Sequence, residues 1–314
     1  MTEVFSMTAI ELARAIRDKR LGVEELARAY IERIEQFDGP EGLNAMAELN
    51  EDAIKQARKM DSMKTDRDGA MFGLPVLVKD NIDVAGLHTT AGSLALADNI
   101  AERDAPIIAN LRRNGALILG KTKMTEFANY TTQGMPGGFS SRGGQVKNAY
   151  DRNKGPSGSS SGSAVAMSAG FCSAAIGTDT SFSIVGCVTE NGVTGLKPAH
   201  GSLSSDGIIP IARTLDSAGS ITRDLSDALL VYSCMRDEPL QPVEPMAPDG
   251  IHLAVNSFQK DQVSEVQLGK HASVLHRLLR STSGAHEVRH HIPARRTGGR
   301  FGKPRWCRVS GGPG

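Results

Sequence analysis

No run of about 18 apolar residues occurs in this sequence of 314 residues, so no membrane-spanning helix is expected. The first ten residues carry acid and polar groups where a secretory leader needs an apolar stretch, which makes a cytoplasmic location the default expectation. Charge of one sign is also lacking. With 36 Lys and Arg against 35 Asp and Glu, the net charge of +1 gives no basic field for nucleic acid. The four cysteines, Cys172, Cys187, Cys234 and Cys307, form no Cys-x-x-Cys pair, so zinc and dithiol chemistry have little to stand on. Three of them lie in apolar surroundings and read as buried free thiols. No metal and no cofactor is expected. Histidine-based serine catalysis also lacks its marks. No Gly-x-Ser-x-Gly elbow surrounds Ser183, and His88, His200, His252 and His271 sit in no triad context.

What is present is a soluble globular composition, 39% hydrophobic and 23% charged, long enough for one large domain or two ordinary ones. Glycine is plentiful, with 34 residues concentrated mid-chain, where tight turns around a site would need them. Residues 8–36 read as amphipathic helix broken at Gly22, with Thr8 as N-cap and Glu11 at the capping-box position. Residues 52–63 and 104–114 also read as helix, the latter with Pro106 in its first turn. Short apolar strands are expected at 75–78 and 117–119. A small-residue helix is expected at 164–176, strand and turn signals at 191–210, and a helix at 224–235. A proline-rich connection follows at 239–248, then a strand at 251–255 and a helix from about 264 to 279. Strand, helix and strand in this order predict α/β construction around a buried sheet. From Ser281 onward one acid, Glu287, faces seven Lys and Arg, and apolar periodicity stops. The expectation is therefore a main domain over 1–280 and a basic Gly/Arg-rich tail over 281–314, disordered or non-native.

The chemistry concentrates in three places. Lys79 follows the apolar Leu74-Pro-Val-Leu-Val78, Ser159 to Ser161 lie in a glycine-flanked turn, and Ser183 follows Gly177-Thr-Asp-Thr-Ser-Phe182. A serine hydroxyl needs a base before it attacks, and a lysine serves only as the neutral amine, a form that burial favours. The bland alternatives are a surface lysine paired with Asp80 or Asp83, a helix N-cap for the serine turn, and a flexible linker for residues 130–162. The linker is disfavoured because the small-residue helix that follows must pack closely on something. Consecutive N–H groups between Thr180 and Ser183 can hold an oxyanion, although Phe182 is bulky for such a turn. Gly115-Ala-Leu-Ile-Leu-Gly-Lys-Thr122 matches a phosphate loop in letters, but the positions between its glycines would be a buried strand rather than a loop.

Five motifs in order resemble the amidase signature family: Val78-Lys-Asp-Asn-Ile82, Gly120-Lys-Thr-Lys-Met-Thr-Glu-Phe-Ala128, Gly158-Ser-Ser-Ser-Gly-Ser-Ala164, Gly177-Thr-Asp-Thr180 before Ser183, and Gly192-Val-Thr-Gly-Leu-Lys-Pro198. The resemblance runs from about residue 5 to 280. It implies a single α/β/α domain around a large mixed β-sheet, and a Ser–cis-Ser–Lys triad acting on a small-molecule amide. By the same resemblance Lys79 would be the base, Ser159 the bridging serine on a cis peptide bond, and Ser183 the nucleophile. The N–H groups of Thr180, Ser181, Phe182 and Ser183 would form the oxyanion hole, and Met135 would lie near substrate. Ser181-Phe182 replaces the Gly-Gly common before the nucleophile, and Ile184-Val185 replaces the common Ile-Arg after it. These features resemble peptide-amidase-like members more than the glutaminase-like subunit of tRNA-dependent amidotransferases, which is the alternative. A second alternative is an inactive fragment, because the resemblance implies a chain cut short at its C-terminal end.

Overall fold

The computed structural model describes residues 2–63, 67–238 and 240, and beyond these the backbone of three short strands. The chain divides into two compact units, Met1–Leu240 and Gln241–Gly314. The first begins with helices α1 (Ala9–Arg17) and α2 (Val23–Phe37). Thr8 and Glu11 form the expected capping box, and the break falls at Gly22. Then come β1 (Met46–Leu49), α3 (Ala53–Ser62), β2 (Pro75–Lys79), α4 (Pro106–Arg113) and β3 (Leu117–Thr122). A small hairpin of β4 (Phe139–Ser140) and β5 (Gly144–Gln145) precedes α5 (Ser161–Ala169) and β6 (Ala174–Asp179). The unit closes with α6 (Val185–Asn191), β7 (Thr194–Leu196), β8 (Ser217–Thr222) and α7 (Leu225–Met235).

Six strands form one mixed sheet in the order β1-β3-β2-β6-β8-β7. The central β3, β2 and β6 run parallel, and β1, β8 and β7 join antiparallel to their neighbours. The α/β architecture around a mixed sheet is therefore the one the sequence predicts. The central strands read as continuous apolar runs because both faces are covered. Val76, Leu77 and Val78 are fully buried, as are Ile118, Leu119 and Ala174 to Ile176. Helix α5 lies against β2, β3, β6 and β8, and α7 packs on β7 and β8.

One expected element is corrected. Residues 164–176 are not a single helix. Gly170 adopts φ 71°, a left-handed cap that ends α5 after Ala169, and the chain re-enters the sheet as β6 at Ala174. Small apolar residues satisfy a buried strand as well as a buried helix, so the apolar run alone does not separate them.

In the second unit, β9 (Ala254–Asn256) lies parallel to β10 (Val288–Ile292), which pairs antiparallel with β11 (Arg305–Val309). Two of these strands fall within residues 281–314. The helix expected at 264–279 lies outside the described residues, as does the connection at 239–248 apart from Leu240.

Candidate active site

Lys79 ends β2, Thr122 ends β3 and Asp179 ends β6, so the C-terminal ends of three parallel strands meet where β8 arrives antiparallel. Such strand ends are where open α/β sheets present their ligands. Lys79 is fully buried. Its Nζ lies 2.8 Å from Ser159 Oγ, 2.9 Å from Ser160 Oγ, 2.8 Å from Thr178 Oγ1 and 3.2 Å from the Thr178 carbonyl. Asp80 is not its partner. That carboxylate accepts the Thr90 N–H at 3.2 Å and faces Lys121 at 3.9 Å. Among the described residues Lys79 forms no ion pair. Burial brings its pKa down to about 7, outweighing the opposing pull of the Asp179 and Asp216 carboxylates.

The serine turn is built to reach this amine. The Gly158–Ser159 peptide bond is cis, and Ser157 before it sits at φ 63°. Thr125 holds the turn from one side. Its N–H donates to the Ser159 carbonyl at 3.1 Å, and its Oγ1 accepts from Gly138 N–H at 2.7 Å. Asn191 of α6 holds the other side by donating to the Pro156 carbonyl at 2.9 Å. A Cβ at Gly158 would stand 2.5 Å from Thr125 Oγ1, and one at Gly162 would stand 2.4 Å from the Ala45 carbonyl oxygen. Glycine is needed at both positions for this closeness. The serine turn is therefore packed in place rather than part of a flexible linker, and Val146 and Asn148 of the segment before it are buried.

Ser183 lies on the neighbouring turn, almost buried, and its carbonyl accepts the Ser160 N–H at 3.2 Å. Asp179 shapes this turn. One carboxylate oxygen accepts from the Ile184 N–H at 2.6 Å and the Val185 N–H at 3.2 Å. The N–H groups of Thr180, Ser181, Phe182 and Ser183 have no hydrogen-bond acceptor among the described residues. Phe182 is 57% exposed, and its ring lies over Gly186, where a Cβ would meet it at 2.1 Å. The bulky residue thus fits the turn by placing its ring outside it, on a position with no side chain. Lys79 and Ser159 are in hydrogen-bond contact. No hydrogen bond joins the Ser159 and Ser183 hydroxyls among the described residues. Met135 is half-buried in the loop before Gly138 and does not line the cavity beside Thr178 and Thr180.

Among the described residues the histidines are hydrogen-bonded elsewhere and the cysteines are buried. His88 pairs with Glu48 through Nδ1 at 3.0 Å, and His200 Nδ1 lies 3.0 Å from the Asp216 carbonyl oxygen. Burial pushes the Cys172 and Cys187 thiols up to about 12 and Cys234 up to about 11. Lys121 points inward from β3 to the carbonyls of Ile82 and His88 at 2.7 and 2.8 Å, so the phosphate-loop lettering is a buried strand. Among the described residues no cluster of His, Cys, Asp or Glu suits a metal, and no helix is long and apolar enough to cross a membrane.

Four residues of the cluster carried no assigned role in the sequence: Ser160, Thr178, Asn81 and Asp179. Asn81 Nδ2 donates to Thr178 Oγ1 at 3.1 Å, and Ser160 Oγ donates to the Thr178 carbonyl at 3.0 Å. Each belongs to a quoted motif. Ser160 and Thr178 reach the Lys79 amine, and Asn81 and Asp179 support the residues around it; the parallel pairing of β2 with β6 places Thr178 beside the end of β2.

The site is thus a lysine buried under hydroxyls at the strand ends of a mixed α/β sheet, and comparison with known proteins names the family. The family described as Amidase matches residues 25–267, and the chain belongs to it. A probable amidase of Arabidopsis thaliana is 37% identical over 253 residues, covering 77% of this chain and 49% of that protein. A glutamyl-tRNA(Gln) amidotransferase subunit of Clostridium kluyveri is 34% identical over 235 residues, covering 73% and 46%. The crystal structure of the peptide amidase from Stenotrophomonas maltophilia superposes with a TM-score of 0.78 at 35% identity, covering 87% of this chain and 60% of that one. The chain thus spans about half the length of the curated relatives it matches.

Proposed function

We propose that this protein is an amidase that cleaves a carboxamide C–N bond through an acyl-enzyme on Ser183, with Ser159 as proton relay and Lys79 as base. The observation that carries this reading is the fully buried Lys79 amine, without an ion pair among the described residues and 2.8 Å from Ser159 Oγ. A neutral amine keeps two N–H donors and gains a lone pair. The Thr178 carbonyl can only accept, so the lone pair turns to a hydroxyl, and Ser159 is the one expected to pass a proton on. Ser159 takes the Ser183 proton as it gives its own to Lys79, and Ser183 Oγ attacks the amide carbonyl. The unpaired N–H groups from Thr180 to Ser183 are suited to the developing oxyanion. The relay then runs backward to protonate the leaving amine or ammonia. Water, deprotonated by the same relay, releases the acid.

The test is labelling by a serine-directed phosphonate. The wild-type chain is expected to take one label, and Ser183→Ala none. Full labelling of the Ser183→Ala protein would remove Ser183 as nucleophile.

The Clostridium kluyveri relative motivates a second reading, a glutaminase component of an amidotransferase. That reading requires glutamine hydrolysis and copurifying partner chains, whereas the first requires turnover of free amides by this chain alone.

A further inference from the structure

We propose that the cavity beside Thr178 and Thr180 is an acyl subsite, and that Arg213 there selects amides whose acyl chain ends in a carboxylate. The proposal rests on the amidase reading and names its substrate class.

The cavity borders the hydrogen-bonded cluster around Lys79 through residues that belong to both. Asn81, Thr178 and Thr180 line one side, and Thr178 also accepts from Lys79. The apolar wall is formed by Leu203, Ile208 and Ile209. It suits the methylene part of a short acyl chain.

Two charged residues, Arg213 and Asp216, complete the lining. They differ in what they have left to offer a ligand. Asp216 Oδ1 accepts the Thr180 hydroxyl at 2.6 Å, and Oδ2 accepts the Ile211 and Ala212 N–H groups at 2.9 and 3.0 Å. Its carboxylate is engaged by the protein. Arg213 is exposed, and among the described residues its guanidinium donates no hydrogen bond and forms no ion pair. The charge available to a ligand is therefore positive. It is carried by the side chain whose planar fork matches a carboxylate with two parallel hydrogen bonds.

The position of Arg213 is fixed by the sheet. It sits in a turn closed by the N–H groups of Leu215 and Asp216 donating to the Ala212 carbonyl, both at 2.9 Å. The next residue after that turn, Ser217, opens β8 and pairs with Asp179 at the end of β6. The arginine turn and the Thr180–Ser183 turn thus leave adjacent ends of paired strands, and the Thr180–Asp216 hydrogen bond ties them together.

The test compares binding of succinamate and glutaramate with that of their neutral counterparts butanamide and pentanamide, by calorimetry on the full chain. The expected result is affinity about 10-fold higher for the anionic member of at least one pair, shrinking as salt is added. In Arg213→Gln that advantage is lost, while the neutral amides bind as before. Arg213→Lys keeps part of it. Equal binding of anionic and neutral amides, an advantage that survives in Arg213→Gln, or no binding of any of the four would each overturn the proposal. Phosphonate labelling of the same preparation separates this result from the catalytic reading. A labelled protein without carboxylate preference overturns the subsite alone, and an unlabelled protein with the preference overturns the role of Ser183 alone.

Discussion

The proposed role of Lys79 as base sets two opposing demands. The amine is to be buried far enough to lose its proton near neutrality, yet kept where acceptors fix it, and the hydroxyls of Ser159, Ser160 and Thr178 suit the second without restoring a counter-charge. With a folded pKa of about 7, the base form rises with pH through that value. The acylation rate is expected to climb about tenfold per unit below pH 7 and to level off above it. Lys79→Met should lower the rate by about 10²- to 10⁴-fold and remove the inflection. Stability carries the same signature with its own sign. The unfolded lysine titrates near its ordinary 10.5, so between about 7 and 10.5 the unfolded chain holds more protons and stability rises with pH. Below 7 both states are protonated and the penalty of burial is constant. Urea melts of wild type and Lys79→Met at pH 7, 8.5 and 10 would show this, with the variant lacking that part of the slope. An inflection near 10 in wild type would mean that the amine is charged in the folded protein.

At the scale of elements, the N-terminal helix depends on a residue more than 200 positions away. Asp227 of α7 is buried, and its carboxylate accepts the N–H groups of Ala9 at 2.7 Å and Ile10 at 3.0 Å, the first turn of α1. Burial raises its pKa even though these two bonds oppose the shift. Between the unfolded value near 3.8 and the raised folded value the folded chain holds more protons, so this group's contribution to stability falls as pH rises through that window. Asp227→Ala is expected to cost about 1–3 kcal/mol in urea unfolding at pH 7, because two N–H groups lose a charged acceptor. A cost below about 0.5 kcal/mol would show that water replaces the carboxylate. The contrast with Thr8 shows what a sequence can reveal. Thr8 and Glu11 are three residues apart, so their capping box is readable in the letters, as is Pro106 at the start of α4. Asp227 acts across a tertiary contact and leaves no local signal. The site divides the same way. Lys79, Ser159 and Ser183 stand out because each lies in a distinctive motif. Thr178 and Ser160 acquire their contacts only once β2 and β6 pair and the serine turn folds over them. The misread helix at 164–176 has a related cause: a left-handed Gly170 ends it, and small apolar residues give no period to mark the change.

The whole molecule raises the question of how much chain the site requires. Every residue of the described core lies between Ala9 and Met235, and all six strands of the central sheet fall within the unit that ends at Leu240. Lys79, Ser159, Thr178 and Ser183 are held by β2, α5, β6, α6 and the loop between Thr125 and Gly138, all inside that unit. Yet solved and curated relatives extend well beyond the matched region, and β7 forms a short, half-exposed edge of the sheet. If cooperativity arises from the described core, a chain ending at Leu240 should melt in a single sharp transition, since one continuous packed interior unfolds as a unit. Its Ser183 should also react with the phosphonate at the rate of the full chain. Calorimetry and labelling kinetics on the two chains side by side decide the matter. A broad transition in the shorter chain, with labelling slowed by more than about tenfold, would show that the described core is not sufficient on its own. A sharp transition with slowed labelling would separate stability from reactivity: the sheet would be self-sufficient, while the labelling rate at Ser183 would require the longer chain.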